Sequence, residues 1–449
     1  MQSVGKDTTV VPLRFVVVGG GITGLSTAYS LARAGHSVVV LEKTDGARKN
    51  TMNVRCPPSM TRVLHQWGLK NEIDEMAQVC DRINWYSGPN AEPLGSLILE
   101  HFVRDVAANL CFLEHGRLHD LFLKLAKNQG VDIKYNSRVI GADSETGYVS
   151  LENGEQVYGD VIIAADGYNS AMRDIVVGEE NNTNPEKTLI LSFGLPSCVL
   201  QGDPELQSVV DSNATSYWLG DGYFCVGNLL NKDRDFAGVV SQKYSGSREV
   251  GDWTTAEDIG QTNIDFGKLD TRASVDSLVC ENSRIALVGG AAHPLLYGAN
   301  HNHALGFEDA QALGCLFSRL QCKDQVSQLL TAYNEIRQPW SQFALAHTYR
   351  HHQLLRLPVG PEQQARDALM RPTMRRLGDA AAAAAVPDGS IDEPLFRRVW
   401  GGDLQLFAYD ARERVEDWWS KWGASIVKKS SMATLVVPRV QVSVSTKTE

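Results

Sequence analysis

The chain has 449 residues, 43% of them apolar and 21% charged, with a formal net charge of −10. That length exceeds one ordinary hydrophobic core, and the composition is that of a globular protein, which argues against a disordered or fibrous chain. The acidic balance, without a dominant Lys or Arg block, argues against nucleic acid or a membrane surface as partner, because both need clustered basic charge.

No apolar run is long enough to span a bilayer, and the opening "MQSVGKDTTVVPLRFVVVGGG" lacks the charged, apolar and cleavage regions of a signal peptide. A cytoplasmic protein is expected, as a monomer or homodimer. Eight cysteines (Cys56, Cys80, Cys111, Cys198, Cys225, Cys280, Cys315, Cys322) form no CxxC pair, so they read as free thiols and not as a zinc ribbon or redox dithiol.

In chain order, the first element is the apolar run "RFVVV" from Arg14 to Val18, a strand. Gly19, Gly21 and Gly24 follow as G-x-G-x-x-G, then the helical pattern "LSTAYSLARAG". Between a strand and a helix this spacing is a dinucleotide fingerprint. Gly19 allows the tight turn, Gly21 lets a pyrophosphate approach the backbone, and Gly24 lets helix pack on strand. The helix amino-terminus then offers free N–H groups and partial positive charge to the anion. A second strand, "SVVVLE", ends at Glu42, eighteen residues after Gly24, where a carboxylate can accept from both ribose hydroxyls.

Further on, "DVIIAADG" predicts a strand from Asp160 to Ala165, followed by Asp166, Gly167, Ser170 and Arg173. Residues 176–274 hold short alternating runs such as "TSYWLGDGYFCVGNLL" between Gly, Asp and Asn turns, the pattern of an antiparallel sheet. The stretch "LVGGAAHPLLYGANHNHALGFEDA", from Leu287 to Ala310, reads as a strand, a glycine-containing turn and a helix start. Residues 310–352 read as helices, Pro358 and Pro361 mark a boundary, and residues 428–449 read as a loosely packed tail.

These motifs resemble, in order, the three fingerprints of the FAD-dependent flavoprotein monooxygenases that hydroxylate aromatic compounds. The third fingerprint of that family, G-D-A-A-H-x-x-x-P-x-x-G-Q-G followed by an E-D-A helix, is matched by "RIALVGGAAHPLL" and "GFEDAQALG". Salicylate-hydroxylase-like members are the most similar, given "PPSMTRVLHQWGL" at 57–69, "WLGDG" at 218–222 and "LFAYDARERVEDWW" at 406–419. The resemblance reaches about Gly423. It implies an α/β fold in which a Rossmann-like FAD-binding domain (10–175 and 275–355) interleaves with an antiparallel-sheet substrate domain (176–274), followed by a C-terminal helical region (356–427). It further implies FAD as cofactor, NAD(P)H as a transient co-substrate, and a phenolic, aromatic or polyketide-like substrate of secondary metabolism. FAD contacts are implied at Gly19, Gly21, Gly24, Glu42, Lys43, Arg55, Asp166, Gly167, Arg173, Gly289, Gly290, Ala299 and Asn300.

The match departs from the family around the flavin ring. Gly290 stands where the family carries the aspartate that binds the ribityl chain, Tyr297 replaces a proline, and Asn300, His301 and Asn302 replace G-Q-G. Likewise His115 falls at the flavin-contacting arginine, with Arg117 two residues on, and "TMNV" at 51–54 replaces glycines. The adenosine end keeps its pattern. In this reading oxygen chemistry belongs to the flavin, while His301, His303 and Tyr297 are the candidate proton donors or acceptors. No metal site is expected: His301 and His303 share a face only in a strand, and no Cys or acid stands at a supporting spacing.

Three readings follow. The first is an FAD- and NAD(P)H-dependent monooxygenase using O2. A second, motivated by the altered ring segments, is a monooxygenase-derived non-redox cyclase or isomerase with flavin as scaffold or lost. A third, a nicotinamide dehydrogenase, leaves the D-G and E-D-A segments without a role.

Overall fold

The computed structural model describes residue 9 and residues 11–47, 53–103, 106–177, 187–200, 213–231, 235–243, 254–255, 263–270, 274–282, 284–295, 299, 301–374 and 393–433. The strand Arg14–Val18 is buried from Phe15 onward, so it must be covered on both faces, as a central parallel strand is. It pairs in parallel with Ser37–Leu41 on one side and with Val161–Ala164 on the other. Beyond them lie Asp132–Lys134 and Ile285–Leu287, also parallel. The spatial order is therefore 285–287, 161–164, 14–18, 37–41, 132–134. This is a doubly wound sheet whose order reverses beside the first strand, the place where such folds bind ligands.

A second sheet has eight strands in the order 254–255, 263–270, 187–195, 236–243, 223–229, 214–219, 82–87, 93–98. Its neighbours are antiparallel except Ala214–Leu219 beside Arg82–Ser87, which run parallel. The last two strands join this sheet although 82–98 falls within the segment expected to belong to the dinucleotide unit. The cause is Trp85: it is only 1% exposed, stacks on Tyr217 at 4.4 Å and lies 5.9 Å from Trp400. Its strand finds cover for that ring in the large sheet, between 214–219 and 93–98.

Among the described residues three α-helices follow Arg356: Pro361–Met370, Glu393–Ala408 and Ala411–Ala433. The last passes the expected limit at 427, and its Val415 and Ile426 sit in the main core with the strands and helices of the dinucleotide unit.

Two buried polar groupings tie this unit together. Arg337, on the long helix Val326–Leu355, is fully buried and pairs with Asp309 (Nε to Oδ1, 2.8 Å) and Glu308 (Nη1 to Oε2, 3.0 Å). The other Asp309 oxygen accepts from the Gly289 N–H (2.9 Å) and lies 2.8 Å from His293 Nε2. Burial alone would raise the Asp309 carboxyl, but His293, Arg337 and the Gly289 N–H outweigh it and hold it at about 2. Burial pushes the Glu308 carboxyl up to about 7 against the pull of Arg337, so the charged brace between the helix Asn302–Phe317, the long helix and the turn at Gly289 is Asp309, with Glu308 beside it. Replacing Arg337 with Met would leave two buried carboxyl groups without their cation and should cost about 3–5 kcal/mol, read as a lower midpoint in urea; an unchanged midpoint would contradict the brace.

The second grouping is His36, whose Nδ1 accepts from the Leu13 N–H (3.2 Å) and whose Nε2 donates to Phe317 O (3.1 Å). The bond accepted by Nδ1 needs the neutral ring, and burial lowers the His36 pKa from 6.5 to about 4 although the Phe317 carbonyl pulls the other way. Between those values the unfolded chain holds more protons than the folded one, so stability falls as pH is lowered. The contribution is present above pH 6.5 and lost on descending to about 4, on the order of 3 kcal/mol. Urea melts at about pH 7 and about pH 4.5 should show a smaller acid loss for His36→Gln than for the wild type, and equal losses would refute this.

Candidate functional site

Register places the three sequence motifs together. Val18 pairs with Leu41 and with Ala164, and Ala164 pairs with Leu287, so the residues that follow each strand emerge at one carboxyl edge. Backbone bonds continue the match past the strands: Gly19 N–H to Leu41 O (2.8 Å), Ala165 N–H to Val18 O (2.9 Å) and Val288 N–H to Ala164 O (3.0 Å). Segments more than a hundred residues apart in the chain are neighbours there.

The glycines divide their work as the fingerprint requires. Gly19 has φ +108°, and a Cβ on it would lie 2.4 Å from Ala165 O. A Cβ on Gly24 would lie 1.9 Å from Gly19 O, so this glycine lets the helix Ile22–Arg33 seat on the turn. Gly21 has nothing within 4 Å of its would-be Cβ. Its space is open at the helix amino-terminus, which has no side-chain cap and no acid in its first turn. This is the cradle a pyrophosphate fits.

Glu42 is already oriented there. One carboxylate oxygen accepts from the Gly20 N–H (2.7 Å), the other from the Thr44 N–H (2.9 Å) and hydroxyl (2.8 Å). His119 Nε2 donates to Gly20 O at 2.8 Å and steadies the same turn. Lys43 is exposed beside it.

The middle of the edge is built from the second and third motifs. Asp166 accepts from Ser170 Oγ (2.5 Å) and the Met172 N–H (3.2 Å), starting the helix Ala171–Val177. Gly167 has φ +83° and Gly289 φ +55°. Arg173, expected to contact the cofactor, is buried and donates to the Ala291 and Ala292 carbonyls at 2.8 and 3.2 Å. Its charge therefore clamps the third motif onto the second. A Cβ on Gly289 would lie 2.6 Å from Thr23 Cγ2 and one on Gly306 2.4 Å from Thr23 Oγ1, so the third motif rests directly on the first turn of the glycine helix. At Gly290, where the family carries aspartate, a Cβ would meet Tyr168 N at 3.2 Å and Gly167 C at 3.3 Å. The D-G loop has come close against a position that in this chain has no side chain.

Beyond lies the end expected to face the ring. His115, at the start of the helix His115–Asn128, is half-buried and meets His303 edge-on at 5.9 Å, while Arg117 faces outward, exposed. Arg55 is 7% exposed, and its charge is felt by Cys225 and His352. Asn53 Nδ2 donates to Asn228 Oδ1 at 3.0 Å, joining the strand Asn53–Cys56 to Tyr223–Leu229 of the large sheet. Burial, with His115 beside it, holds the His303 imidazole well below the usual range. Burial also lowers His301 to about 4 against the pull of Asp403. Neither ring titrates near neutral pH, which corrects the reason for expecting them to move protons there. Tyr297 and Asn300 lie outside the described residues.

His301 faces elsewhere. With Ala299 it lines a cavity of about 20 Å³ that also holds His347, His351 and Asp403. Sequence reading passed over that group, although His347 and His351 stand four apart on a helix, a spacing that places both on one face.

Comparison with known proteins agrees with this geometry. The FAD binding domain family matches residues 13–348. An FAD-dependent monooxygenase of Arthrinium sp is 27% identical over 396 residues, 83% of this chain and 92% of the relative. The 3-amino-4-hydroxybenzoate 2-monooxygenase PtmB3 of Streptomyces platensis is 26% identical, covering 84% and 98%. Among solved structures, CtdE in complex with FAD and substrate superposes with a TM-score of 0.72 at 16% identity, covering 93% of this chain and 100% of that one. A salicylate hydroxylase substrate complex gives 0.66 at 15%, covering 90% and 97%. Identities this low show the shared fold.

The two helix-start glycines should separate when substituted. Gly24→Ala must displace the Gly19 carbonyl and should destabilise the protein by about 2 kcal/mol or more. Gly21→Ala has room in the free protein, so it should melt like the wild type yet bind dinucleotide about tenfold more weakly or worse, a loss of about 1.4 kcal/mol or more. Flavin retention on gel filtration together with thermal melts checks both; a Gly21→Ala protein with undiminished affinity would contradict the cradle.

Proposed function

The chain belongs to the FAD binding domain family and is a flavin-dependent monooxygenase, and from that premise we propose that it draws on NAD(P)H and O2 to hydroxylate a phenolic, aromatic or polyketide-like small molecule of secondary metabolism. The observation that carries this reading is the meeting of Gly19, Gly21, Gly24, Glu42, Asp166, Gly167, Gly289 and Gly290 along one carboxyl edge of the parallel sheet. The aromatic substrate named for the Streptomyces relative supports the substrate class. One strand–glycine turn–helix in the sequence suits a single resident dinucleotide, with the nicotinamide nucleotide visiting.

In this reading the N–H groups around Gly21 bind the pyrophosphate and Glu42 accepts from the ribose, with Lys43 outside it. Asp166, Gly167, Gly289 and Gly290 line the middle of the molecule, and Arg173 positions them by holding the Ala291 and Ala292 carbonyls. Arg55, His115, His303 and Ala299 border the ring end. When bound, the flavin supplies hydride acceptance and oxygen activation. The protein's own groups bind, orient and exclude water: burial holds the His303 imidazole below the usual range, so it stays neutral near neutral pH, with the His115 ring edge-on beside it at 5.9 Å. Among the described residues no helix is long and apolar enough to cross a membrane; a cytoplasmic monomer or homodimer belongs to the same proposal.

Purified protein should be yellow, and a phenolic substrate should accelerate NAD(P)H oxidation with matching O2 uptake. Glu42→Gln should keep the fold and lose FAD affinity by about tenfold or more, since a charge-assisted hydrogen bond is worth about 1.5–3 kcal/mol. Product formed without oxygen or nicotinamide would instead favour the non-redox cyclase or isomerase reading.

A further inference from the structure

A second chemical cluster lies apart from the glycine turn. His347 and His351 are one turn apart on the helix Val326–Leu355 and so project from one face. Asp403, on Glu393–Ala408, faces both: His347 Nε2 is 3.4 Å and His351 Nδ1 3.9 Å from its Oδ1. The three donor atoms lie within 4.8 Å of one another. Gly402 makes this approach possible, because a Cβ there would stand 2.3 Å from His347 Cε1. His301, 3% exposed, lines the same cavity, and its Nε2 is buried without a hydrogen-bond partner. At about 20 Å³ the cavity has room for one water or one ion and none for an organic substrate.

We propose that His347, His351 and Asp403 bind one divalent transition-metal ion of the zinc type, with the cavity on the His301 side as its fourth position. Zinc bonds of about 2.0–2.2 Å to imidazole nitrogen and carboxylate oxygen, set at tetrahedral angles, put donor atoms about 3.3–3.5 Å apart. The His347–Asp403 separation already has that value, and the His351–Asp403 separation needs a closure of roughly half an ångström. Two imidazoles among three ligands select against Mg2+ and Ca2+, which take oxygen. The ion would balance the charge of a carboxylate enclosed between helices. It would fasten the helix Glu393–Ala408 to the long helix, next to Tyr217 and Phe224 of the large sheet and to Ala299 of the third motif.

The test uses the flavin-loaded protein, stripped with EDTA and titrated with Co2+ in the visible region beyond the flavin bands. One Co2+ per chain with a tetrahedral spectrum, displaced by Zn2+, is expected, and Zn2+ should raise the melting temperature. His351→Ala and Asp403→Asn should each weaken binding by more than about 100-fold while keeping the flavin spectrum, because losing even a partner of a ligand costs about 10–100-fold. Should a variant lose its flavin, zinc X-ray absorption on the wild type decides, with at least two imidazoles and no sulfur expected. Absence of a stoichiometric ion, a sulfur ligand, or full-strength binding by both variants would overturn the proposal.

Discussion

The in-register parallel pairing of four short strands is the constraint on which the site depends. Because Val18 stands beside Leu41 and Ala164, and Ala164 beside Leu287, the chain leaves all four strands at one level. The turn at Gly19, the carboxylate of Glu42, the D-G loop and the Gly289 turn are then neighbours by geometry alone. None of these segments could bind a dinucleotide by itself. Together they offer an anion cradle at one end, an acid for a ribose beside it, and a run of close-packed backbone leading towards the second sheet.

Much of the remaining polar chemistry holds that edge in place. Arg173 spends its charge on two carbonyls of the third motif, and Asp309 spends its own on the Gly289 N–H, His293 and Arg337. Thr23 fills the gap between the glycine helix and the third motif, where any side chain at Gly289 or Gly306 would collide with it. The glycine at 290 belongs to the same arrangement. A Cβ there would stand 3.2 Å from Tyr168 N and 3.3 Å from Gly167 C, so a side chain at 290 requires the D-G loop to give by a few tenths of an ångström.

The parts of this design legible in the sequence are those set by local rules. The unbroken apolar runs at 14–18 and 37–41, the glycine spacing and the acid after the second strand each carry their own physical signature, and the structure places them at 14–18, 37–41 and Glu42. What could not be read depends on partners far along the chain. The strands at 82–98 alternate like many edge strands, and only contact with Tyr217 and Trp400 assigns them to the large sheet. A cation after D-G shows no acceptor in the sequence, and only the fold brings the Ala291 and Ala292 carbonyls to Arg173. His347 and His351 had a visible helical spacing, but Asp403 lies on another helix beyond a long intervening stretch. His301 and His303, adjacent in the sequence reading, point to different neighbours, one to Phe407 and the small cavity and the other to His115.

The central claim is that an adenosine tail is held at the glycine turn while the rest of the same molecule runs along the carboxyl edge. Equilibrium titration of flavin-free protein with FAD, followed by quenching of flavin fluorescence and repeated with ADP or FMN as competitor, tests it most directly. The account predicts one FAD per chain, displaced readily by ADP and poorly by FMN. Displacement by FMN with indifference to ADP would mean that the grip lies at the other end, and would contradict it.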